Sequence, residues 1–351
     1  MIPQREYFDK DIANSDNTSG YYIIEENDFV YNPRKSADAP YGPISSYKYA
    51  EAGIVSPLYL CFRAKKEINP AFFEWYFRSS VWHRYVYMSG DSGARHDRVS
   101  IKDDTFFAMP INLPSAHEQE HIASFLERID QRIEMQRSLV DNLKKYKRGV
   151  IQQAFSSRKE KTCFSKWEVS YFGDYFTEQS IRTSNNPDTP LVSLTVEDGV
   201  TPKTERYYRE FLITKDGDNY KAIKPGWFAY NPMNAHLGAI APNHLGYTAA
   251  VSGYYNIFSV NEVETICFWE EYLTSYPMLI HYKLIATGSL VEKQRVHYSQ
   301  FVNIRRNLPS IEEQKYLSKV FKTLNTKIEH AENMERQLVR MRTALLQQLF
   351  I

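Results

Sequence analysis

Basic residues recur in two loops whose composition suits contact with a polyanion. Each loop opens with glycine and continues to two basic residues: Arg95 and Arg98 follow Gly90, and Lys293 and Arg295 follow Gly288. Glycine permits close backbone approach, and arginine can bridge phosphate oxygens or the paired acceptors of guanine. The recurrence favours nucleic-acid contact at these positions, and ordinary solvated charge is the alternative.

Further basic and aromatic residues are weaker candidates for the same role. The basic ones stand in or beside turn-prone stretches of each half of the chain: Arg34, Lys35, Lys203 and Arg206. The aromatic ones could stack on bases: Tyr207, Tyr208 and Tyr230. Core packing is the expected role of these tyrosines, because aromatic residues make up 15% of the whole chain.

The chain carries no pattern that predicts a catalytic centre. Asn32-Pro33 and Asn231-Pro232 match half of the Asn-Pro-Pro-aromatic motif of adenine methyltransferases, but the second proline and the aromatic residue are missing. We interpret both as turns. The sequence contains no phosphate-binding GxxxxGK[ST] loop, no HExxH motif and no CxxC pair. We therefore predict no enzyme activity, no cofactor and no metal site.

Composition limits the possible partners. The 351 residues carry 43 basic and 42 acidic side chains, a net charge of +1. A free-standing, non-specific DNA binder is normally more basic. If this chain binds DNA, its basic charge must be concentrated locally, or partner subunits must supply part of the contact. The first residues lack the apolar core of a signal peptide, no stretch is long enough to span a membrane, and three isolated cysteines favour a reducing cytoplasm.

A repeat organises the chain. The 43 residues from Leu113 align without a gap with those from Leu308, at an offset of 195. Both copies open with LPS and continue to a glutamate in capping-box spacing, which predicts the start of a helix. Apolar residues then recur at spacings of three and four, which predicts a helix-on-helix seam about 60 Å long. Gln136 interrupts one stripe where Ala331 continues the other, so we expect imperfect pairing there.

Two details of these helices bear on function. Their predicted seam residues are Ile122, Leu126, Ile129, Ile133, Val140, Leu143, Val150 and Ala154, then Leu317, Phe321, Leu324, Ile328, Met334, Leu338, Met341, Leu345 and Leu349. A basic cluster near the end of the first helix fits either a solvated face or contact with phosphate or a partner: Lys144, Lys145, Lys147 and Arg148. A rigid spacer between two modules is favoured over a dimerisation coiled coil or a buttressing hairpin.

The segments that precede the helices also correspond. Residues 28–33 match 226–232, and the aromatic stretch from Phe72 matches that from Phe268. Short β-type runs surround one aromatic helix in each, so we predict two α+β modules. The first module has almost nothing equivalent to the roughly 40 residues that open the second, and we expect it to lack opening strands.

This arrangement resembles the specificity subunits of type I restriction–modification systems, over nearly the whole chain. The marks are two LP…EQ…I/L helix openings, long helices that end in QQ-x-F, and the stretch KWEVSYFGDYF, which is similar to the entry of that family's target-recognition domains. The resemblance implies target-recognition domains at 1–112 and 157–307. It implies conserved helices at 113–156 and 308–351 that pack as an antiparallel coiled coil.

By resemblance, each domain reads one half of a split site in double-stranded DNA, and helix length sets the gap. The helices dock two DNA-methylation subunits, which carry S-adenosylmethionine, and a separate motor–nuclease subunit cleaves. The shortened first domain departs from the family. It leaves open that another polypeptide completes this domain, or that the chain is a remnant or regulatory assembly protein that binds the methylation subunit only through its helices.

Overall fold

The computed structural model describes residues 1, 6, 18–65, 68–90, 97–155, 167–203, 220–288 and 294–350. Its first half contains five strands and four helices among these residues: β1 (Tyr22–Ile24), β2 (Phe29–Tyr31), β3 (Ile44–Ser46), β4 (Gly53–Val55), β5 (Leu60–Phe62), α1 (Pro70–Arg78), α2 (His83–Ser89), α3 (Asp103–Phe107) and α4 (Ala116–Phe155). The mixture of strands and helices confirms the predicted α+β class.

The second half repeats this order and adds strands at its start. Its strands are β6 (Glu168–Tyr171), β7 (Phe176–Gln179), β8 (Arg182–Thr183), β9 (Val192–Thr195), β10 (Gly199–Pro202), β11 (Tyr220–Ile223), β12 (Phe228–Tyr230), β13 (Ile240–Pro242), β14 (Ala249–Ser252), β15 (Asn256–Val260) and β16 (Arg305–Leu308). Its helices are α5 (Ile266–Leu273), α6 (Tyr276–Ile285), α7 (Tyr298–Val302) and α8 (Ile311–Leu349).

The chain divides into two compact units, each with its own core. One unit combines residues 1–139 with 331–351, and the other comprises residues 140–330. Each unit therefore contains one α+β module together with a stretch of both long helices, α4 and α8. We call the α+β parts the first module and the second module.

The first module is built on the antiparallel sheet β3-β2-β5 and the pair β1-β4. The all-buried strand β2 packs on the aromatic helix α1, whose first turn is capped by the side-chain oxygen of Asn69. Phe29 stacks on Phe62 at 5.5 Å between ring centroids and meets Phe73 edge-on at 5.4 Å. These aromatic contacts form the core that the sequence predicts.

The second module has the same arrangement with additional strands. Its sheets run β13-β12-β15-β7 and β14-β11-β8, with two further pairs, β10-β9 and β16-β6. Phe228 stacks on Phe258 at 5.2 Å, in the place of the Phe29–Phe62 pair. The strands β11 to β15 thus correspond one by one to β1 to β5. The extra strands β6 to β10 come from the opening segment, and the described residues of the first module contain no equivalent of them.

The two long helices lie antiparallel in each unit. In one unit, Arg137 of α4 pairs with Glu335 of α8 at 3.0 Å, while Asp130, earlier in α4, pairs with the later Arg342. In the other unit, Phe155, at the end of α4, packs edge-on against Phe321 near the start of α8. These contacts confirm the antiparallel pairing.

The seam differs in detail from the predicted stripes. At Gln136, where the sequence predicts imperfect pairing, the buried amide donates a hydrogen bond of 3.0 Å to the carbonyl oxygen of Ala331. Met334 and Met341 were predicted for the seam but are 46% and 44% exposed. Leu346, outside the predicted stripe, is buried instead, because the straight helix turns its apolar face gradually as it runs along its partner.

The two helix starts use their capping residues differently. Ser115 and Glu118 form the reciprocal box: the Ser115 N–H donates to the Glu118 carboxylate at 3.0 Å, and the Glu118 N–H donates to the Ser115 hydroxyl at 3.4 Å. At α8 the Glu313 N–H donates to the Ser310 hydroxyl at 3.3 Å. The carboxylate of Glu313, however, accepts its hydrogen bond from the indole N–H of Trp167 at 3.2 Å.

Candidate nucleic-acid interface

An asparagine–proline turn follows the central strand of each module. The side-chain oxygen of Asn32 accepts from the N–H of Arg34, and that of Asn231 accepts from the N–H of Met233, each at 3.0 Å. Such side-chain-to-backbone bonds define Asx turns. The interpretation of both Asn-Pro pairs as turns is therefore confirmed.

A glycine that sequence reasoning missed shapes each of these turns. Gly42 and Gly238 occupy equivalent positions, with φ angles of +81° and +99°. A Cβ atom on Gly42 would lie 2.2 Å from the carbonyl oxygen of Asn32, so no side chain fits. An isolated glycine about ten residues after the Asn-Pro pair was the available signal.

The first module brings three candidate residues together beside its turn. Arg34 and Arg98 form an isolated antiparallel bridge, and the N–H of Lys35 donates to the carbonyl oxygen of Asp97 at 2.9 Å. The N–H of Val99 donates to the carbonyl oxygen of Pro33 at 2.8 Å. The end of the predicted basic loop, residues 97–99, thus pairs with the Asn-Pro turn. Two residue groups that are more than 60 positions apart in sequence form one basic surface.

The second module repeats this closure around Arg295. The N–H of Val296 donates to the carbonyl oxygen of Pro232 at 3.0 Å, which is the equivalent of the Val99–Pro33 bond. Arg295 and Thr287 exchange two backbone hydrogen bonds of 2.9 Å. The guanidinium of Arg295 lies 5.5 Å from the ring centroid of Tyr254, which holds it by a cation–π contact. Tyr254, itself 42% exposed, was not among the predicted site residues.

The remaining candidates divide into three groups. Lys203 is exposed directly after β10, and among the described residues no contact joins it to Arg295. Tyr230 is fully buried and donates to the carbonyl oxygen of Val296 at 3.2 Å, so the expected core role is confirmed. Five predicted residues lie outside the described residues: Arg95, Arg206, Tyr207, Tyr208 and Lys293.

Arg98 lines a solvent-open groove beside the Asn-Pro turn. Its Nε atom is buried and has no hydrogen-bond partner in the described part of the chain. The residue lines an open groove of about 1010 Å³, together with Tyr22, Leu58 and Phe107. A guanidinium presents donors in a fixed fork that matches phosphate and guanine acceptors. Arg98 therefore belongs to the lining of a solvent-open groove, while its Nε atom lies inside the protein.

The basic cluster on α4 is only partly a solvated face. Lys144, Lys145 and Arg148 are exposed, but Lys147 pairs with Glu271 at 2.5 Å. Burial raises the pKa of the Glu271 carboxyl, and the nearby Lys147 ammonium opposes that shift. Lys147 thus neutralises a buried carboxylate of the second module.

The described residues contain neither a metal-binding cluster nor a helix that could span a membrane. No group of three or more His, Cys, Asp or Glu side chains in the described ranges is arranged to hold a metal ion. Among the same ranges, no helix has the length and apolar composition that crossing a bilayer requires.

Comparison with known proteins identifies the class of fold. Residues 10–145 match the family model for the type I restriction modification DNA specificity domain. No protein with a curated function matches the chain. The sequence-level resemblance to type I specificity subunits is confirmed by this match and by the solved structures with the same fold.

Three of those structures cover almost the entire chain. The HsdS subunit of Thermoanaerobacter tengcongensis matches with a TM-score of 0.53 and 16% identity, over 93% of this chain and 81% of that one. A structure described as explaining complex assembly and conformational transition of a type I restriction–modification system matches with a TM-score of 0.57 and 15% identity, over 93% and 82%. The S subunit from M. genitalium matches with a TM-score of 0.53 and 14% identity, over 97% and 87%.

Proposed function

We propose, on the fold shared with type I specificity subunits, that this chain is the sequence-specific DNA-binding subunit of a type I restriction–modification complex. The target-recognition domains in this proposal are residues 1–112 and 157–307, and each reads one half of a bipartite site. Segments 113–156 and 308–351 dock two methylation subunits, and a motor–nuclease subunit cleaves. The chain itself supplies sequence choice and no catalysis, and we place the complex in the cytoplasm.

The observation that carries the proposal is the repeated closure of a basic loop onto an Asn-Pro turn. The Val99–Pro33 and Val296–Pro232 hydrogen bonds place Arg98 and Arg295 at equivalent positions of the two modules. Rigid backbone pairing limits the positions an arginine head can reach, which favours directional contact with base edges over diffuse attraction. We propose the remaining predicted residues as flanking contacts: Arg34, Lys35, Arg95, Lys203, Arg206 and Lys293.

Exposed apolar residues on the long helices support subunit docking. Within one unit they are Phe125, Met135, Leu139, Met334 and Met341, and within the other Tyr146 and Tyr316, all between 44% and 62% exposed. Polar surroundings and large exposed apolar side chains are typical of protein interfaces. Methionine, which fills irregular gaps, suits such a surface.

Methylome mapping tests the proposal as a whole. The chain is co-expressed with the methylation subunit of its own locus, and modified adenines are mapped across the genome. Two working readers predict a split motif. Exchange of residues 164–307 for another such module should change one half of that motif only. A genome without any motif, in cells where the chain still co-purifies with the methylation subunit, would contradict DNA reading.

A matched pair of arginine variants tests whether Arg295 contacts the cognate DNA site directly. Arg295→Ala should weaken binding of the methylation-subunit complex to its cognate site by about 1–3 kcal/mol, with a smaller loss on unrelated DNA. Arg305→Ala is the control, because Arg305 also lies over a tyrosine ring, Tyr171, at 5.8 Å but stands outside the loop. Equal losses for the two variants across a salt series would remove Arg295 from direct readout.

A second candidate function rests on the exposed apolar face of the first module. Ile23 and Ile54 are 74% and 54% exposed there, which fits a remnant or regulatory protein whose first module does not read DNA and whose helices bind the methylation subunit. A palindromic or one-sided methylation motif would indicate that only the second module reads. Complete loss of the motif with retained subunit binding would favour the regulatory role.

A further inference from the structure

Two cations face each other across neighbouring strands of the second module. Arg182 of β8 and Lys221 of β11 are directly opposed residues of an antiparallel pair, so their side chains project from the same face of the sheet. The Ala222 N–H donates to the carbonyl oxygen of Ile181 at 2.8 Å, which fixes the start of β8 against β11. Like charges in directly opposed positions destabilise a sheet. The fold therefore keeps a local electrostatic cost at this place.

The surroundings of Lys221 do not remove this repulsion. Its ammonium group donates to the carbonyl oxygen of Tyr255 at 2.7 Å, an acceptor without a net charge. Burial lowers the pKa of the Lys221 ammonium, the charge of Arg182 lowers it further, and Glu178 acts in the opposite direction. One carboxylate thus acts against two cations, and this cluster keeps one positive charge in excess.

The cation pair is continuous with the candidate contact loop of the second module. Tyr255, which accepts from Lys221, directly follows Tyr254 in the chain. The ring of Tyr254 in turn lies 5.5 Å from the guanidinium of Arg295. A chain of contacts therefore joins Arg182 and Lys221 to the arginine that we propose as a reader of bases. DNA-binding surfaces combine both kinds of contact, because cations on phosphates fix the register while contacts to base edges specify the sequence.

The described part of the first module contains no equivalent pair. Tyr22 takes the position of Lys221, because Tyr22 lies opposite Val55 as Lys221 lies opposite Val251. Within those described residues, β1 pairs with β4 alone. The two opposed cations are therefore a feature of the second module.

We propose that Arg182 and Lys221 bind a phosphate of the DNA backbone, beside the bases that Arg295 contacts. This site rests on the proposed function of the chain as a DNA-binding subunit, and it adds the contact that holds the second module in register. The negative charge of the phosphodiester offsets the repulsion between the two cations. Arg182 presents a planar fork of donors that matches phosphate oxygens, and Lys221 acts as a point charge.

A charge series at position 182 tests the site, because it predicts opposite orders for stability and for affinity. Arg182→Gln removes the repulsion, and Arg182→Glu replaces it with an attraction to Lys221. The thermal midpoint of the chain should rise by about 1–2 °C for the glutamine variant and further for the glutamate variant. The affinity of the chain and its methylation subunit for cognate duplex DNA should fall several-fold for glutamine and further for glutamate.

Salt dependence separates a phosphate contact from base readout. Arg182→Gln should reduce the slope of log K against log salt concentration by about 1, and it should weaken cognate and unrelated duplexes by the same factor. Arg305→Gln is the control, because it removes the same charge from the same module. Arg305 lies over the ring of Tyr171, outside this cluster. The control should leave both the thermal midpoint and the salt slope as they are in the unmodified chain.

Inorganic phosphate is a probe that requires no sequence recognition. At equal ionic strength, replacement of chloride by phosphate should raise the thermal midpoint of the unmodified chain more than that of Arg182→Glu, because an ion that binds the folded state stabilises it. Equal responses of the two proteins would overturn the site. This measurement uses no DNA, so the site can fail while DNA binding by the complex sustains the proposed function.

The charge series can also overturn the proposal. If stability and affinity fall together from arginine to glutamine to glutamate, Arg182 is a structural residue. An unchanged salt slope for Arg182→Gln would show that no phosphate contact was lost. If the variant weakens binding of the methylation subunit and leaves DNA affinity unchanged, an acidic protein surface is the partner instead.

Discussion

The two modules share one framework of strands and an aromatic helix, but they close the core of that framework by different means. In the second module Phe172 and Phe176, from the opening segment, pack on Trp269 at 5.6 and 4.6 Å between ring centroids. In the first module Trp82, 2% exposed, contributes a large ring from the stretch between α1 and α2. The aromatic core therefore forms without the opening segment, whereas the outer face of β1 and β4 stays uncovered.

This difference separates two roles within a module. The strands β2, β3 and β5 and the helix α1 define the framework, because their equivalents keep the same stacked aromatic pair in both modules. The opening strands act as a cover that hides apolar surface and occupies a sheet edge. The candidate contact loops belong to the framework, so we expect Arg98 to be positioned as well as Arg295.

Removal of one aromatic ring from each module should give the largest difference in stability between the two modules. Phe172→Ala should destabilise the second module by about 3–5 kcal/mol, because a fully buried ring is lost from a packed core. Phe107→Ala, at a ring that is 57% exposed, should change stability by less than about 0.5 kcal/mol. Hydrogen exchange followed by mass spectrometry measures each module separately. Similar losses at both sites would show that Phe107 is a core residue of the first module.

The buried ion pair of the second module gives the next largest effect. Glu271 occupies the position at which the first module has Trp75, and both residues are buried. Lys147→Ala should cost about 3 kcal/mol near neutral pH, because it leaves a buried carboxylate without its partner. Chemical denaturation of the purified chain measures the loss. Lys145→Ala, at an exposed neighbour, is the control and should have no effect.

The pH dependence of this variant has a definite sign. Burial already raises the pKa of the Glu271 carboxyl, and removal of Lys147 takes away an interaction that lowers it. A raised pKa in the folded state stabilises the fold at low pH and loses that contribution as the pH rises through the folded value. The Lys147→Ala defect should therefore shrink as the pH is lowered. A defect that is constant with pH, or that Glu271→Gln does not relieve, would contradict this cause.

The two glutamines at equivalent positions of the helix repeat should show a smaller difference. Gln119 accepts from the Asn69 N–H at 2.8 Å and donates to the Pro114 carbonyl oxygen at 3.0 Å. Gln314 donates to the Pro309 carbonyl oxygen at 2.9 Å, but its buried side-chain oxygen has no partner among the described residues. Gln119→Leu should lower the free energy of unfolding by about 1–2 kcal/mol, and Gln314→Leu should lower it by less. Only Gln119→Leu leaves a backbone N–H, that of Asn69, without its hydrogen-bond acceptor. Thermal unfolding compares them, and equal costs would argue against this accounting.

The helix caps should give the smallest effect. Ser115→Ala should cost about 1 kcal/mol, the usual loss for an N-cap serine, and Ser310→Ala about half as much. The reason is that Glu313 also holds Trp167, so the start of α8 has a second anchor. Amide exchange in the first turn of each helix is the measurement. A larger loss at Ser310 would show that the tryptophan contributes little.

Much of the fold was readable from the sequence, because local patterns determine it. The repeat, both helix starts, the Asn-Pro turns and the α+β class of both modules follow from spacing and turn chemistry. The seam positions Met334 and Met341 failed because a stripe drawn at heptad spacing drifts around a straight helix.

The candidate site was predictable only in part. Arg34 and Arg98 carry no signal of their pairing, because a backbone bridge between distant residues depends on tertiary closure. The same limit applies to Tyr254 under Arg295 and to Glu271 beside Lys147, since neither contact has a local spacing. Recurrence in both modules was the sole sequence evidence for the loops, and it pointed to the region that the structure assembles.

The unequal caps of α4 and α8 bear on the order in which the protein folds. The cap of α4 lies within four residues, so this helix can start as soon as that stretch leaves the ribosome. The cap of α8 includes an indole 146 positions earlier in the chain. Trp167 is synthesised before α8 emerges from the ribosome. We therefore expect the start of α8 to become stable only after the opening segment of its own module has folded.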